Sequence, residues 1–111
     1  MDNRRIQRIE RQIQKDLSEI FLGQTKGMPG VMVTVTKVRI SPDLSVARAY
    51  LSIFPSDRGE ELMENIERNG KAIRYELGTR VGGQLRRVPE LAFFLDDSID
   101  YLENIDNLLK N

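Results

Sequence analysis

Apolar residues in the first part of the chain recur every three or four positions, the spacing of an amphipathic helix. This stripe predicts a helix over residues 2–22, and its members are Ile6, Ile9, Ile13, Leu17 and Ile20. At about 100° per residue, a row of cations falls on the opposite side of the helix. The row consists of Arg4, Arg8, Arg11 and Lys15, with Arg5 beside it. Burial of the stripe therefore turns the cations towards solvent.

Two runs rich in β-branched residues follow and predict a hairpin of two strands. The runs cover residues 31–40 and 46–54, and the turn residues 41–43 separate them. Within the first run, the apolar residues expected to face inwards change from odd-numbered to even-numbered positions. This change predicts a bulge near Thr36 and Lys37, where one extra residue would restore the pattern.

The second half of the chain contains two further helical patterns. The capping-box spacing between Asp57 and Glu60 predicts the start of a helix that ends near residue 68. Asn69-Gly70 interrupts this helix, because both residues tolerate left-handed backbone conformations. Another helix is predicted from about Lys71, and it ends at a pair of glycines.

The remaining segment predicts a strand over residues 91–95 and a last helix that Asp97 or Ser98 caps. The order is helix, strand, strand, helix, helix, strand, helix, in one domain over residues 1–111. A three-stranded sheet covered by helices on one face is the natural α+β packing for this order. It is the order of a type II KH-like domain, with a kinked helix junction at Asn69-Gly70 and the third strand expected beside the first.

The composition removes much of the usual catalytic chemistry. The chain contains neither cysteine nor histidine. The lack of cysteine excludes disulfides, thiolate metal sites and thiol nucleophiles, and it agrees with a reducing cytoplasm. The lack of histidine removes the commonest general base and zinc ligand. No signal peptide or membrane-spanning run is visible. We therefore expect a protein that is not an enzyme and that binds no cofactor or membrane.

The charges balance overall, at 17 basic and 17 acidic residues, but they are sorted along the chain. The segments 4–15 and 68–87 are basic, whereas 57–67 and 90–106 are acidic. A basic row with few countercharges favours contact with phosphate. A solvated helix face is the alternative for the first segment. The acidic segments are expected to face away from RNA, because like charges repel.

Residues 86–96 form the most specific pattern in the chain. A basic pair precedes Pro89, and the run continues through Glu90 and a short alternating apolar segment to Asp96. This stretch resembles the signature R-x-x-P-E-L-x-F-x-x-D of the ribosome-binding factor A family. The turn and second strand resemble the family's S-x-D-L-x-x-A-x-x-Y-x-S hairpin, on Ser41, Asp43, Leu44, Ala47, Tyr50 and Ser52. Ile73-Arg74 resembles its I-R pair.

The family also resembles a KH domain whose RNA clamp is replaced by a kinked junction of Ala-x-Gly pattern. Gly70 matches the glycine of that pattern, and Arg68 stands in place of the alanine. A GXXG sequence does occur at residues 27–30, but it precedes the first strand and Pro29 removes one N–H donor. We interpret it as a linker.

The resemblance implies a cold-shock-linked ribosome assembly factor. Such a protein binds the free small (30S) ribosomal subunit and assists maturation of the 5′ end of 16S rRNA, without catalysis. We expect a cytoplasmic monomer whose partners are the 30S subunit and its RNA, with no small-molecule substrate. A general single-stranded RNA chaperone of KH type is the first alternative. A protein-interaction module that uses the charge blocks is the second, and a carboxylate-metal nuclease is a distant third.

The candidate RNA-binding residues lie on the first helix, at the helix junction and in the loop before the third strand. They are Arg4, Arg5, Arg8, Arg11, Lys15, Gly70, Lys71, Arg74, Arg86 and Arg87. We expect Lys71, Arg74 and Tyr75 on the outer side of their helix, near backbone N–H groups available to phosphate. Tyr75 either stacks on a base or is partly buried.

Other charged residues have less certain roles in the sequence. Arg80 leans towards the apolar side of its helix, so it ranks lower as an RNA contact. Three cations of the hairpin either extend the RNA surface or decorate a solvated sheet face: Lys37, Arg39 and Arg48. The acids Asp96, Asp97 and Asp100 admit a magnesium site. Capping of the last helix by Asp97 and Ser98 is favoured over this site, and no metal is expected.

Overall fold

The computed structural model describes residues 3–82, 85 and 87–96. It confirms the predicted α+β class, with three helices and a three-stranded sheet. The helices are α1 (Asn3–Gln24), α2 (Gly59–Arg68) and α3 (Gly70–Val81), and a short 3-10 helix spans Ser56–Arg58. The strands are β1 (Met32–Ile40), β2 (Val46–Phe54) and β3 (Glu90–Leu95). The predicted last helix lies outside the described residues.

The second strand is the centre of the sheet. It pairs antiparallel with β1 and parallel with β3, so the strand order is β1-β2-β3. The expectation that the third strand lies beside the first is wrong. A parallel neighbour requires a long crossover, and here α2 and α3 supply it between the end of β2 and the start of β3.

The predicted bulge in β1 is confirmed. The register of the β1–β2 pair shifts between Val35 and Lys37, which leaves Thr36 as the extra residue. Gln14 of α1 satisfies the disturbed backbone, because its side-chain amide donates to the carbonyl oxygens of Val35 at 2.9 Å and of Thr36 at 3.4 Å. The bulge keeps Val35 and Val38 on the helix-covered face.

The turn between β1 and β2 follows the predicted chemistry. The amide of Leu44 donates to Ser41 O at 2.8 Å, and Leu44 itself adopts a positive φ of 63°. The Asp43 carboxylate accepts three hydrogen bonds. One comes from the hydroxyl of Ser41, and two come from the hydroxyl and the amide of Ser45. These bonds favour the ionised carboxylate and lower the pKa of Asp43 to about 2.

The core lies between the helices and one face of the sheet. Ile13, Leu17 and Ile20 of the predicted α1 stripe are buried, and the inner stripe of α3 (Ile73, Leu77 and Val81) is buried as well. From β2, alternate residues from Ala47 to Ile53 complete the core. No helix in the described part of the chain is long and apolar enough to cross a membrane.

One local prediction for the second half is wrong, and the predicted interruption at Asn69-Gly70 is confirmed with a different backbone conformation. The capping box does not form, because Asp57 lies within the 3-10 helix and α2 begins only at Gly59, without a side-chain cap. The junction between α2 and α3 contains no left-handed residue. Asn69 interrupts the helix at φ −91° and ψ 10°, and its N–H still bonds to Asn65 O. That N–H is therefore not available to a phosphate.

Candidate nucleic-acid interface

The cation row of α1, comprising Arg4, Arg5, Arg8, Arg11 and Lys15, is exposed along its whole length. Burial of the stripe at Ile13 and Leu17 fixes the rotation of the helix and turns the row outwards. Within the described residues, Arg5, Arg8, Arg11 and Lys15 form no ion pair. The sequence prediction that these side chains face solvent is confirmed.

A groove of about 440 Å³ lies between α1 and β1, and we call it the edge groove. Its polar lining comes from Gln7, Glu10, Arg11, Gln14, Lys37 and Arg39. Glu10 ties the two elements together, because its Oε2 accepts a hydrogen bond from the Ile40 amide at 2.9 Å. Its Oε1 lies 3.9 Å from Arg39 Nη1. The groove therefore joins the cation row to two cations of the hairpin.

A second recess, the junction cleft, has a volume of about 880 Å³ and lies between α3 and the start of β3. Lys71, Arg74 and Tyr75 line it from the helix, and Val88 and Leu91 line it from the opposite side. Gly70 also lines it, and a Cβ at Gly70 would meet no atom within 4 Å. The backbone at the junction is thus accessible from the cleft.

Arg74 does not lie on the outer side of its helix, so that part of the prediction is wrong. The side chain is half-buried across the cleft. Its Nε donates to Pro89 O at 3.1 Å and its Nη2 donates to Val88 O at 2.7 Å. The guanidinium therefore fastens the loop before β3 to α3, and its exposure to an RNA phosphate is reduced.

The other predicted residues near the junction are placed differently. Lys71 is exposed. Tyr75 is 77% exposed, so the alternative in which Tyr75 is partly buried is wrong. Arg87 is exposed, whereas Arg86 lies outside the described residues. Arg80 leans inwards as predicted, and its guanidinium bridges to Glu19 of α1 and Glu76 of α3.

The charge around the junction cleft is mixed. Glu67 and Glu90 line the cleft together with Lys71 and Arg74. Glu67 was expected to face away from RNA, but it lines the same cleft as the candidate RNA-binding residues Lys71 and Arg74. The edge groove has one carboxylate, Glu10, among three cations.

No described contact joins the two groups of cations. The edge groove lies at β1 and the cleft at β3, and these are the opposite edges of the sheet. The candidate residues therefore form two separate clusters.

The outward face of the sheet, which we call the open sheet face, carries two aromatic residues that the sequence did not lead us to expect as contacts. The rings of Tyr50 and Phe94 stack across β2 and β3 with centroids 5.4 Å apart. Lys37 Nζ lies 4.5 Å from the centre of the Tyr50 ring. The period-two pattern of β2 places Tyr50 on the same face as Arg48. The alternation of residues along β2 is the sequence pattern from which this cluster could have been predicted.

A model of one protein family, described as ribosome-binding factor A, matches residues 5–109. The chain belongs to the ribosome-binding factor A family. The family's protein from Flavobacterium johnsoniae is 47% identical over 111 residues, which cover 98% of this chain and 85% of the relative. The family's protein from Cytophaga hutchinsonii is 39% identical over 110 residues, with coverages of 98% and 83%.

Solved structures of the family share the fold. The crystal structure of ribosome-binding factor A from Thermus thermophilus matches with a TM-score of 0.67 and 27% identity, over 81% of this chain and 94% of that chain. A homology model of the T. thermophilus protein, fitted into the cryo-EM map of its complex with the 30S subunit, also matches with a TM-score of 0.67. It is 28% identical, over 81% and 93% of the two chains. The KH-like α+β fold predicted from the sequence is confirmed.

Proposed function

We propose that this ribosome-binding factor binds the free small ribosomal subunit through its 16S rRNA and assists maturation of that RNA without catalysis. The family membership supports the proposal, as does the T. thermophilus relative placed in a map of a 30S complex. The structural observation that supports it most is the exposed cation row of α1, which continues through the edge groove to Lys37 and Arg39.

The proposed mechanism is binding of the RNA backbone. Each arginine or lysine that meets a phosphate releases a condensed counterion, so affinity falls steeply with salt. The rigid backing of α1 against the sheet holds the cations at fixed spacing. We propose that this spacing favours one arrangement of the rRNA during assembly. The junction cleft, with Lys71 and Tyr75, serves as a second and weaker contact, because its carboxylates oppose phosphate.

We also propose that the protein is a cytoplasmic monomer that acts under cold shock. The family is a class of ribosome-binding factors rather than of enzymes, and the lack of histidine and cysteine agrees with a binding role.

The test is co-sedimentation of the full chain with purified free small subunits at several salt concentrations. In the double variant Arg8→Glu with Arg11→Glu we expect at least about tenfold weaker binding. The slope of log affinity against log salt should become shallower by about 1.5 to 2, because two phosphate contacts are lost. Arg74 is left unchanged in this experiment, since its guanidinium holds the loop before β3.

Two control variants separate position from charge. Lys26→Glu with Arg58→Glu makes the same change in net charge outside α1 and should keep most of the binding. Arg8→Lys with Arg11→Lys keeps the positive charge and should bind within a few-fold of the parent chain. The proposal fails if a folded Arg8→Glu, Arg11→Glu chain sediments with subunits as the parent does. Equal affinity for subunits and for short oligonucleotides would instead favour a general RNA chaperone.

A further inference from the structure

The open sheet face has no helix packed on it within the described part of the chain. Helices cover the other face, where Ala47, Ala49 and Leu51 are completely buried. On the open face Phe54 is 65% exposed and Phe94 is 43% exposed. Removal of a large aromatic side chain from water is favourable, so two exposed rings on one sheet face indicate a surface that another molecule covers.

The cations on this face are arranged unfavourably for the free protein. Arg39 and Arg48 are directly opposite each other in the β1–β2 register, and Lys37 lies opposite Tyr50 two pairs away, which is the next pair on the same face. Like charges in directly opposite positions destabilise a sheet. Arg39 has a distant partner in Glu10, but Arg48 forms no ion pair with any described residue. An anion bound at this face would offset the excess of positive charge.

The aromatic residues define the rest of the ligand. Phe94 stacks on Tyr50 with an angle of 26° between the ring planes, and the Lys37 ammonium lies over the Tyr50 ring, so the exposed ring surface of this face belongs to Phe94 and Phe54. Every nucleobase has a π-face that can stack on such a surface, whatever its sequence. The combination of stacking rings and neighbouring cations therefore fits single-stranded RNA, whose phosphates and bases alternate along the chain.

We infer that the open sheet face binds a single-stranded segment of RNA. The bases stack on the exposed rings of Phe94 and Phe54, and the phosphates lie on Lys37, Arg39 and Arg48. Lys37 and Arg39 also line the edge groove, so a strand that follows the cation row of α1 reaches the rings across β1. This inference rests on the proposed function. It states that unpaired bases of the rRNA bind to this face.

Two carboxylates limit the extent of the site. Glu90 lies opposite Val46 at the start of β3. Asp96 follows the end of β3, and its Oδ2 accepts a hydrogen bond from Thr36 Oγ1. Phe94, Tyr50 and the Arg39–Arg48 pair lie between these acids, and Phe54 lies beyond the level of Asp96 on β2. The surface between the acids has room for a short run of nucleotides rather than a long strand.

The test is fluorescence anisotropy of a fluorescein-labelled ten-nucleotide oligouridylate with the full chain. Phe54→Leu with Phe94→Leu keeps apolar side chains but removes two stacking rings, and we expect about tenfold weaker binding. Arg48→Glu should weaken binding by a similar factor. Lys26→Glu, the matched charge control, should change it less than about twofold. Aromatic NMR resonances of Tyr50 and Phe94 should shift when the oligonucleotide is added to the parent chain.

Several results would overturn the inference. These are binding unchanged in both open-face variants, no binding of the oligonucleotide, or contacts from the two rings to the chain's own residues 97–111 that persist at saturating RNA. A crosslink from this face to a ribosomal protein instead of RNA would also overturn it. If the parent chain sediments with subunits but its rings do not respond to RNA, this inference alone fails. If the parent chain does not sediment with subunits, the proposed function fails.

Discussion

The guanidinium of Arg74 provides a direct test of whether a cation near the junction is structural. Its Nε and Nη2 donate to the carbonyls of two consecutive residues, Pro89 at 3.1 Å and Val88 at 2.7 Å. A planar fork suits this pair of acceptors, whereas the single ammonium of lysine cannot reproduce the geometry. Arg74→Lys therefore removes the clamp and keeps the charge. We expect this variant to be less stable than the parent chain and to lose little RNA affinity in comparison.

The size of the effect follows from the two bonds. A hydrogen bond from a charged donor contributes about 1.5 to 3 kcal/mol net. Arg74 is only half-buried, and lysine retains one weaker contact, so the lower end of this range applies. We expect Arg74→Lys to lower the free energy of unfolding by about 1 to 2 kcal/mol. In a domain of this size, that corresponds to a fall in Tm of roughly 4 to 8 °C.

Urea unfolding followed by circular dichroism measures this difference. Arg68→Lys is the matched control, because Arg68 is exposed and, among the described residues, pairs only with Glu64 at 3.8 Å within its own helix. Exposed pairs of this kind contribute little, so the control should lie within about 0.5 kcal/mol of the parent chain. If Arg74→Lys unfolds at the same urea concentration as Arg68→Lys, the clamp does not stabilise the loop and the argument is refuted.

Two further predictions concern backbone conformation and pH. Gly30 has φ +80°, so Gly30→Ala should cost about 1 to 2 kcal/mol in urea unfolding, while Gly27→Ala should be nearly neutral; equal effects would contradict this. The pKa of Asp43 lies at about 2, below its ordinary value of 3.8, chiefly through the Ser41 hydroxyl. Because the folded pKa is the lower one, this stabilisation is present above pH 4 and is lost as the pH falls towards 2. An NMR titration should show Ser41→Ala raising the Asp43 pKa, and a parent value near 3.8 would disprove the assignment.

The sequence predicted those features that depend on the order of residues within one element. The apolar stripe of α1 predicted that the cations of that helix are exposed. The change of parity in β1 predicted the bulge at Thr36. Both follow from the fixed periods of helix and strand, which tertiary contacts did not change here. The helix start at Asp57 was wrong because the 3-10 helix competes for the same residues.

Features that depend on which elements meet were not available from the sequence. The apolar run at residues 91–95 indicates a strand but does not say whether β1 or β2 is its neighbour. The periodicity of α3 put Arg74 towards solvent, because it contains no information about the loop at Val88 and Pro89. The Arg39–Arg48 pair depends on the bulge, since one residue fewer would put Arg48 opposite a different partner.

The extra residue in β1 also has an evolutionary consequence. Pairing of the same sequence without the bulge would give the strand an unbroken alternation. Either Val38 and Ile40 would then move into water and Lys37 would point into the apolar core, or Val33 and Val35 would leave the interior. Selection can therefore exchange many side chains along this strand more readily than it can change the number of residues between Val35 and Val38 while the bulge is kept.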